Sequence, residues 1–118
     1  MYDDYDLLRF CRARKFVLPD VQLMFEECMK WREENKVDDA VNFDFPEERK
    51  VKEMYPMTHH GHAKDGRIVY IERIGQLDIT QLFEATTEDR MFEFFVKGYE
   101  LQLRYKFPAL QHHFGKYI

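Results

Sequence analysis

Long apolar runs are missing from this chain. None approaches the roughly 18–20 residues that a bilayer-crossing helix needs, and no charged start followed by an apolar stretch resembles a signal peptide. No membrane-spanning element is therefore expected. Cysteine is scarce: Cys11 and Cys28 are too few for a disulfide scaffold and sit among apolar neighbours at helical spacing. Both read as small core residues of a reduced, cytosolic chain. The five glycines are scattered, without the GxGxxG or GxxxxGK spacing of a phosphate loop. An excess of cations is also lacking, since the net charge is −4, which argues against a general nucleic-acid binder. What is present is a 45% hydrophobic, 34% charged chain of 118 residues, suited to one packed domain. Its 16% aromatic content is heavy for so small a core, so something large and apolar, protein or ligand, must be housed.

Charge is unevenly placed. Arg9, Arg12, Arg14 and Lys15 make residues 9–16 a basic spot without an acid on an otherwise acidic chain. Asp3, Asp4 and Asp6 precede Leu7, Leu8 and Phe10, which predicts a helix from about Asp4 to Lys15. Pro19 opens a second, with Val21, Met24, Phe25, Cys28 and Trp31 on one face, ending near Asn35, and a Glu26–Lys30 pair is expected on its surface. Val37 to Asp44 reads as irregular or briefly helical, and Pro46 opens a short helix that must stop before Pro56. Beyond Tyr55 the period becomes extended. The Asp65-Gly66 turn signal before Ile68-Val69-Tyr70-Ile71 predicts a hairpin with Met57–His60 as partner strand. A short helix over Leu77–Ala85 follows, then a long one with Thr86 as its cap, running from Thr87 to about Phe107 and ended by Pro108. Apolar residues fall on more than one face of this last helix.

Each candidate site has a plainer reading beside it. The basic spot suits an anion, because guanidinium forks bind phosphate bidentately, but cations at a helix C-terminus also simply offset its dipole. His59, His60 and His62 with Asp65 lack the spacing of a metal set and read as an exposed hairpin loop, so no metal is expected. Tyr70 and Tyr99 either point hydroxyls into a ligand cavity or are core aromatics with satisfied polar ends. No nucleophile–base pair or carboxylate pair can be picked out, so binding is favoured over catalysis.

The order of several motifs is informative. Leu7-Leu8-Arg9-Phe10-Cys11-Arg12-Ala13-Arg14-Lys15-Phe16, Met24-Phe25-Glu26-Glu27-Cys28-Met29-Lys30-Trp31-Arg32, Phe45-Pro46-Glu47, Tyr55-Pro56, Lys64-Asp65-Gly66-Arg67-Ile68-Val69-Tyr70-Ile71-Glu72-Arg73, Thr86-Thr87-Glu88-Asp89-Arg90-Met91 and Phe107-Pro108-Ala109 together resemble the CRAL-TRIO lipid-transfer family. The resemblance is nearest to the fungal and plant phosphatidylinositol/phosphatidylcholine transfer proteins. It implies an α+β to α/β fold: a helical CRAL-TRIO N-terminal unit over residues 1–55, then over 56–118 the first strands and long helix of a lipid-binding domain that continues beyond Ile118 in the family. It implies no enzyme and no cofactor. The implied activity is exchange of phosphatidylinositol, with or without phosphatidylcholine, between membranes. The implied setting is the cytosol with transient membrane contact, Golgi or endosomal, and lipid kinases are implied as partners. By resemblance, Arg14 and Lys15 match inositol-phosphate headgroup ligands, and Tyr70 and Tyr99 match pocket tyrosines near the choline headgroup. His59 stands where the fungal proteins have a further choline-site tyrosine, Ile68 replaces a proline and Leu110 a cysteine. Sterol precursors, tocopherol and retinoids are other cargoes of the family. The alternative is a noncatalytic protein-interaction module or a truncated, non-transferring piece.

Overall fold

Asp3 begins the first helix by a reciprocal cap: its carboxylate accepts the Asp6 N–H at 2.8 Å, and its own N–H donates to the Asp6 carboxylate at 3.2 Å. Helix α1 spans Asp4–Ala13 and α2 spans Leu18–Glu34, with Pro19 in its first turn where a missing N–H costs nothing. In the computed structural model, which describes residues 2–118, these helices belong to a compact unit ending at Asp38; residues 39–118 form a second. Phe10 is the buried residue of α1 and meets the Phe25 ring edge-on at 5.2 Å, with Tyr2 against Phe25 at 5.5 Å. On α2 the expected Glu26–Lys30 pair does not form. Glu26 accepts from Gln22 at 2.7 Å, and Lys30 lies 3.8 Å from Glu34, because each has an alternative partner one helical turn away.

A 3₁₀ segment, Val37–Asn42, leads to α3 (Glu48–Met54). The hairpin follows as β1 (Met57–His62) and β2 (Ile68–Glu72), antiparallel, with Met57 opposite Glu72 and His59 opposite Tyr70. The register slips by one residue between His59 and His62, and Gly61 takes a positive φ of 61° in the resulting bulge. The turn is closed as the Asp-Gly signal suggests: Ala63 N–H donates to Arg67 O at 2.8 Å, and Gly66 has φ 95°. A 3₁₀ turn (Ile74–Gln76), α4 (Ile79–Ala85) and α5 (Glu88–Leu101) complete the walls of the core. The helix-to-strand change at Tyr55 thus lies inside the second unit.

Phe45, Val51, Met57, Leu82 and Met91 form that core, with Phe94 stacked on Phe45 at 4.5 Å. A half-buried polar knot locks it. Arg90 grips the Glu47 carboxylate with two N–H donors, at 2.5 and 3.0 Å, and donates to Asp44 O at 3.0 Å; Thr86 donates its hydroxyl to Glu47 at 3.0 Å. The Arg90 guanidinium also lies 5.0 Å from the Phe43 ring centre. Held this way, the Glu47 carboxyl is lowered to about 2, chiefly by the Arg90 hydrogen bonds.

Two expectations for the last helix are corrected here. Its cap is Thr87, whose hydroxyl accepts the Arg90 N–H at 3.3 Å, because Thr86 is buried with its hydroxyl committed to Glu47. Nor does Pro108 end the helix. The chain widens into a π-helical turn at Gln102–Lys106, where Phe107 N–H donates to Gln102 O, and continues as α6 (Phe107–Phe114) with Pro108 in its first turn. A wide turn shifts the hydrogen-bond register, and a proline at the start of the next segment lacks only a donor the helix does not need there.

Candidate functional site

Within the second unit, α3, the hairpin and α5 with its π turn enclose a cleft of about 430 Å³, in the range of small-ligand sites. The alternation of the strands turns Met57, His59 and Tyr70 to this side. Phe94, Phe95 and Leu101 supply an apolar floor. Three residues singled out in the sequence, His59, Tyr70 and Tyr99, therefore meet in one cleft.

Neither tyrosine is a core aromatic, since Tyr70 is 45% and Tyr99 63% exposed. Tyr70 donates its hydroxyl to Glu72 at 2.7 Å and Tyr55 donates to the same oxygen at 3.1 Å. Burial first, then the hydrogen bond to Glu72, push both phenols above their ordinary range, so both stay protonated donors at physiological pH. His59 lies against the Tyr70 ring at 5.2 Å. The Lys106 ammonium donates to its Nδ1 at 2.9 Å, and the Gln102 side-chain amide lies 2.8 Å from its Nε2. Burial, then the Lys106 and Lys52 charges, hold the imidazole below its usual range and hence neutral.

Cations unforeseen in the sequence reading line the same space. Lys52 pairs with Glu48 at 2.5 Å, Lys97 donates to Phe43 O at 2.6 Å, and Lys106 meets no carboxylate among the described residues. Burial and the neighbouring Lys52 lower the Lys106 ammonium from its ordinary value. Lys106 and His59 are 47 residues apart, so no local pattern announces their contact.

Arg14 and Lys15 lie in the other unit, at the exposed end of α1. Arg14 is the C-cap; Lys15 N–H returns to Arg12 O at 3.3 Å and Phe16 N–H to Cys11 O at 2.8 Å, the double closure of a Schellman motif. That motif ordinarily places glycine where Lys15 stands, yet Lys15 adopts φ 52° and Phe16 φ 61°. The left-handed conformation costs a side-chain-bearing residue about 1–2 kcal/mol. His60 and His62 are exposed on the hairpin, with His62 edge-on to Phe114 at 4.9 Å, and among the described residues no three potential ligands converge on a metal site. Cys11 and Cys28 are free and half-buried.

Known proteins are similar to this chain in sequence. A SEC14 cytosolic factor of Eremothecium gossypii is 44% identical over 108 residues, which is 91% of this chain and 35% of that protein. The Sec14 cytosolic factor of Schizosaccharomyces pombe is 43% identical over 117 residues, 98% of this chain and 41% of that protein. The chain is a homologue of the Sec14-type transfer proteins. The plant branch is represented as well: the phosphatidylinositol/phosphatidylcholine transfer protein SFH9 of Arabidopsis thaliana is 43% identical over 110 residues, 92% of this chain and 19% of its own length. No family model matches the chain. The resemblance drawn from the motifs thus holds along nearly the whole chain, while the chain spans about a quarter to two-fifths of the fungal relatives' length. Among the described residues no helix is long and apolar enough to cross a membrane.

Proposed function

We propose that this chain supplies part of a noncatalytic phospholipid carrier. In this reading residues 1–55 serve as the helical CRAL-TRIO N-terminal unit and 56–118 open the lipid-binding domain. The carrier works in the cytosol, touches Golgi or endosomal membranes transiently, and presents phosphatidylinositol to lipid kinases. The single observation that supports it most is the cleft. Its apolar floor under Phe94, Phe95 and Leu101 suits acyl carbon, and hydroxyl and ammonium donors at Tyr70, Tyr99 and Lys106 suit a headgroup, on a chain homologous to Sec14-type proteins. Moving a lipid breaks no bond and needs only different affinities in different states, consistent with a site that holds no nucleophile–base pair. Arg14 and Lys15 are the inositol-phosphate ligands of this reading, and a lysine kept in a glycine conformation supports a role beyond helix capping.

The test is titration of this chain with soluble dihexanoyl phosphatidylinositol. Binding is expected, and Arg14→Ala combined with Lys15→Ala should weaken it about a hundredfold or more, since charge-assisted hydrogen bonds contribute about 1.5–3 kcal/mol each. Unchanged affinity in the double variant overturns the headgroup role; absence of binding to the parent chain overturns the carrier reading for this segment. A second reading, a protein-docking module, draws on the exposed Ile74, Ile79, Phe83 and Phe92 side chains. Sedimentation of the chain as a monomer that binds no hydrophobic dye counts against it.

A further inference from the structure

Where α1 hands over to α2, the chain holds out apolar side chains that the helix pair does not use. Phe16 is 60%, Val17 48% and Leu18 72% exposed, and Leu18 is the most exposed large apolar side chain among the described residues. A Schellman closure ordinarily lets the residue in the Phe16 position pack back on the last turn of its helix. Here Lys15 and Phe16 both take a left-handed φ, 52° and 61°, and the ring stays in solvent. The backbone donors of the same turn are nearly all consumed. Phe16 N–H donates to Cys11 O, Val17 N–H to Arg14 O and Asp20 N–H to Val17 O, and Pro19 has no donor, so Leu18 alone in this stretch keeps a free N–H. A turn that satisfies its own backbone while presenting three apolar side chains suits a medium poorer in water than bulk solvent.

The charge around this tip says which medium. Residues 9–19 hold Arg9, Arg12, Arg14 and Lys15 and no acid, Asp20 being the first beyond them. All four cations are exposed. Arg9 has a loose partner in Asp6 at 3.7 Å, Arg14 donates to Ala13 O, and Arg12, Arg14 and Lys15 meet no carboxylate among the described residues. An apolar protein groove or a neutral bilayer would cover the side chains and leave these charges unused. We infer that the α1–α2 turn is a wedge for an anionic bilayer surface: Phe16, Val17 and Leu18 enter between headgroups while Arg9 and Arg12 lie against lipid phosphates. This rests on the carrier reading above and deepens it by naming the surface that touches the membrane.

The test is cosedimentation of the 118-residue chain with sucrose-loaded vesicles, either of phosphatidylcholine alone or with about a third phosphatidylserine. Binding to the anionic vesicles is expected, about tenfold or more tighter than to the neutral ones. Phe16→Ser combined with Leu18→Ser should weaken it about tenfold or more, and Arg12→Gln about fivefold, while both variants titrate with soluble dihexanoyl phosphatidylinositol as the parent does. A chain carrying Phe16→Trp and Trp31→Phe reports insertion independently, through a blue shift of its emission on the anionic vesicles. A serine pair that binds vesicles like the parent, or a tryptophan whose emission does not move, overturns the wedge. Equal binding to neutral and anionic vesicles overturns the part given to the cations. Binding of the soluble lipid but of no vesicle would assign the tip to an acidic protein surface instead, overturning this inference and leaving the carrier reading standing. Binding of neither overturns both.

Discussion

The two units are built by different means. Residues 2–38 are organised by contacts between near neighbours: the Asp3–Asp6 cap, the Schellman closure after Ala13, and one aromatic meeting of Phe10 with Phe25. Residues 39–118 are organised by partners more than 40 positions apart, Glu47 with Arg90 and His59 with Lys106, around a five-residue core. The difference teaches where each can carry function. A locally closed turn can bear strained, exposed cations at its end, whereas a long-range framework can converge side chains from three elements on one cleft.

The strongest way to break this comparison is through the core. Leu82→Ala removes a side chain only 5% exposed and should cost about 2–5 kcal/mol in urea denaturation, with hydrogen exchange accelerating in β1, α3 and α5 more than in α1. Uniform acceleration across all helices would show that the two units unfold as one. Next in size is Glu47→Gln, which spoils the Arg90 knot. Because the Glu47 carboxyl is lowered from 4.5 to about 2, its stabilisation is complete above about pH 4.5 and is lost as the pH falls toward 2. The parent chain should therefore lose melting temperature over that window, and the glutamine variant, already weaker at neutral pH, should show a flatter profile there. The smallest effect has the opposite sign. Lys15→Gly relieves a left-handed lysine and should raise stability by about 0.5–1 kcal/mol, the relief less the extra entropy of glycine in the unfolded chain, while weakening phosphatidylinositol binding.

Legibility in the sequence follows the same division. The helices of the first unit were readable from acids before apolar pairs and from Pro19, because those signals act within one turn. The hairpin was readable from Asp65-Gly66, whose turn closes through Ala63 and Arg67. Tyr70 and Tyr99 stood out as candidates for a cavity from their places on strand and helix, His59 as a pocket residue only through the family resemblance, and the cleft brings the three together. Lys52, Lys97 and Lys106 were not readable, since a lysine on a helix looks solvated until the fold sets a neighbour across from it. Thr86 misled for a related reason: its hydroxyl satisfies the capping pattern locally, but Glu47, 39 residues away, claims it.

The wide turn at Gln102–Lys106 has a consequence for how this chain can change length. A π turn is one residue more than an α-helical path would hold. Deleting that residue would let an α-helical path close directly from α5 into α6, because the turn holds the surplus residue locally. Phe114, which lies where a side chain on Gly66 would have to go, would then keep its side of the helix. Insertions and deletions are ordinarily absorbed in loops; here the middle of a helix has room for one.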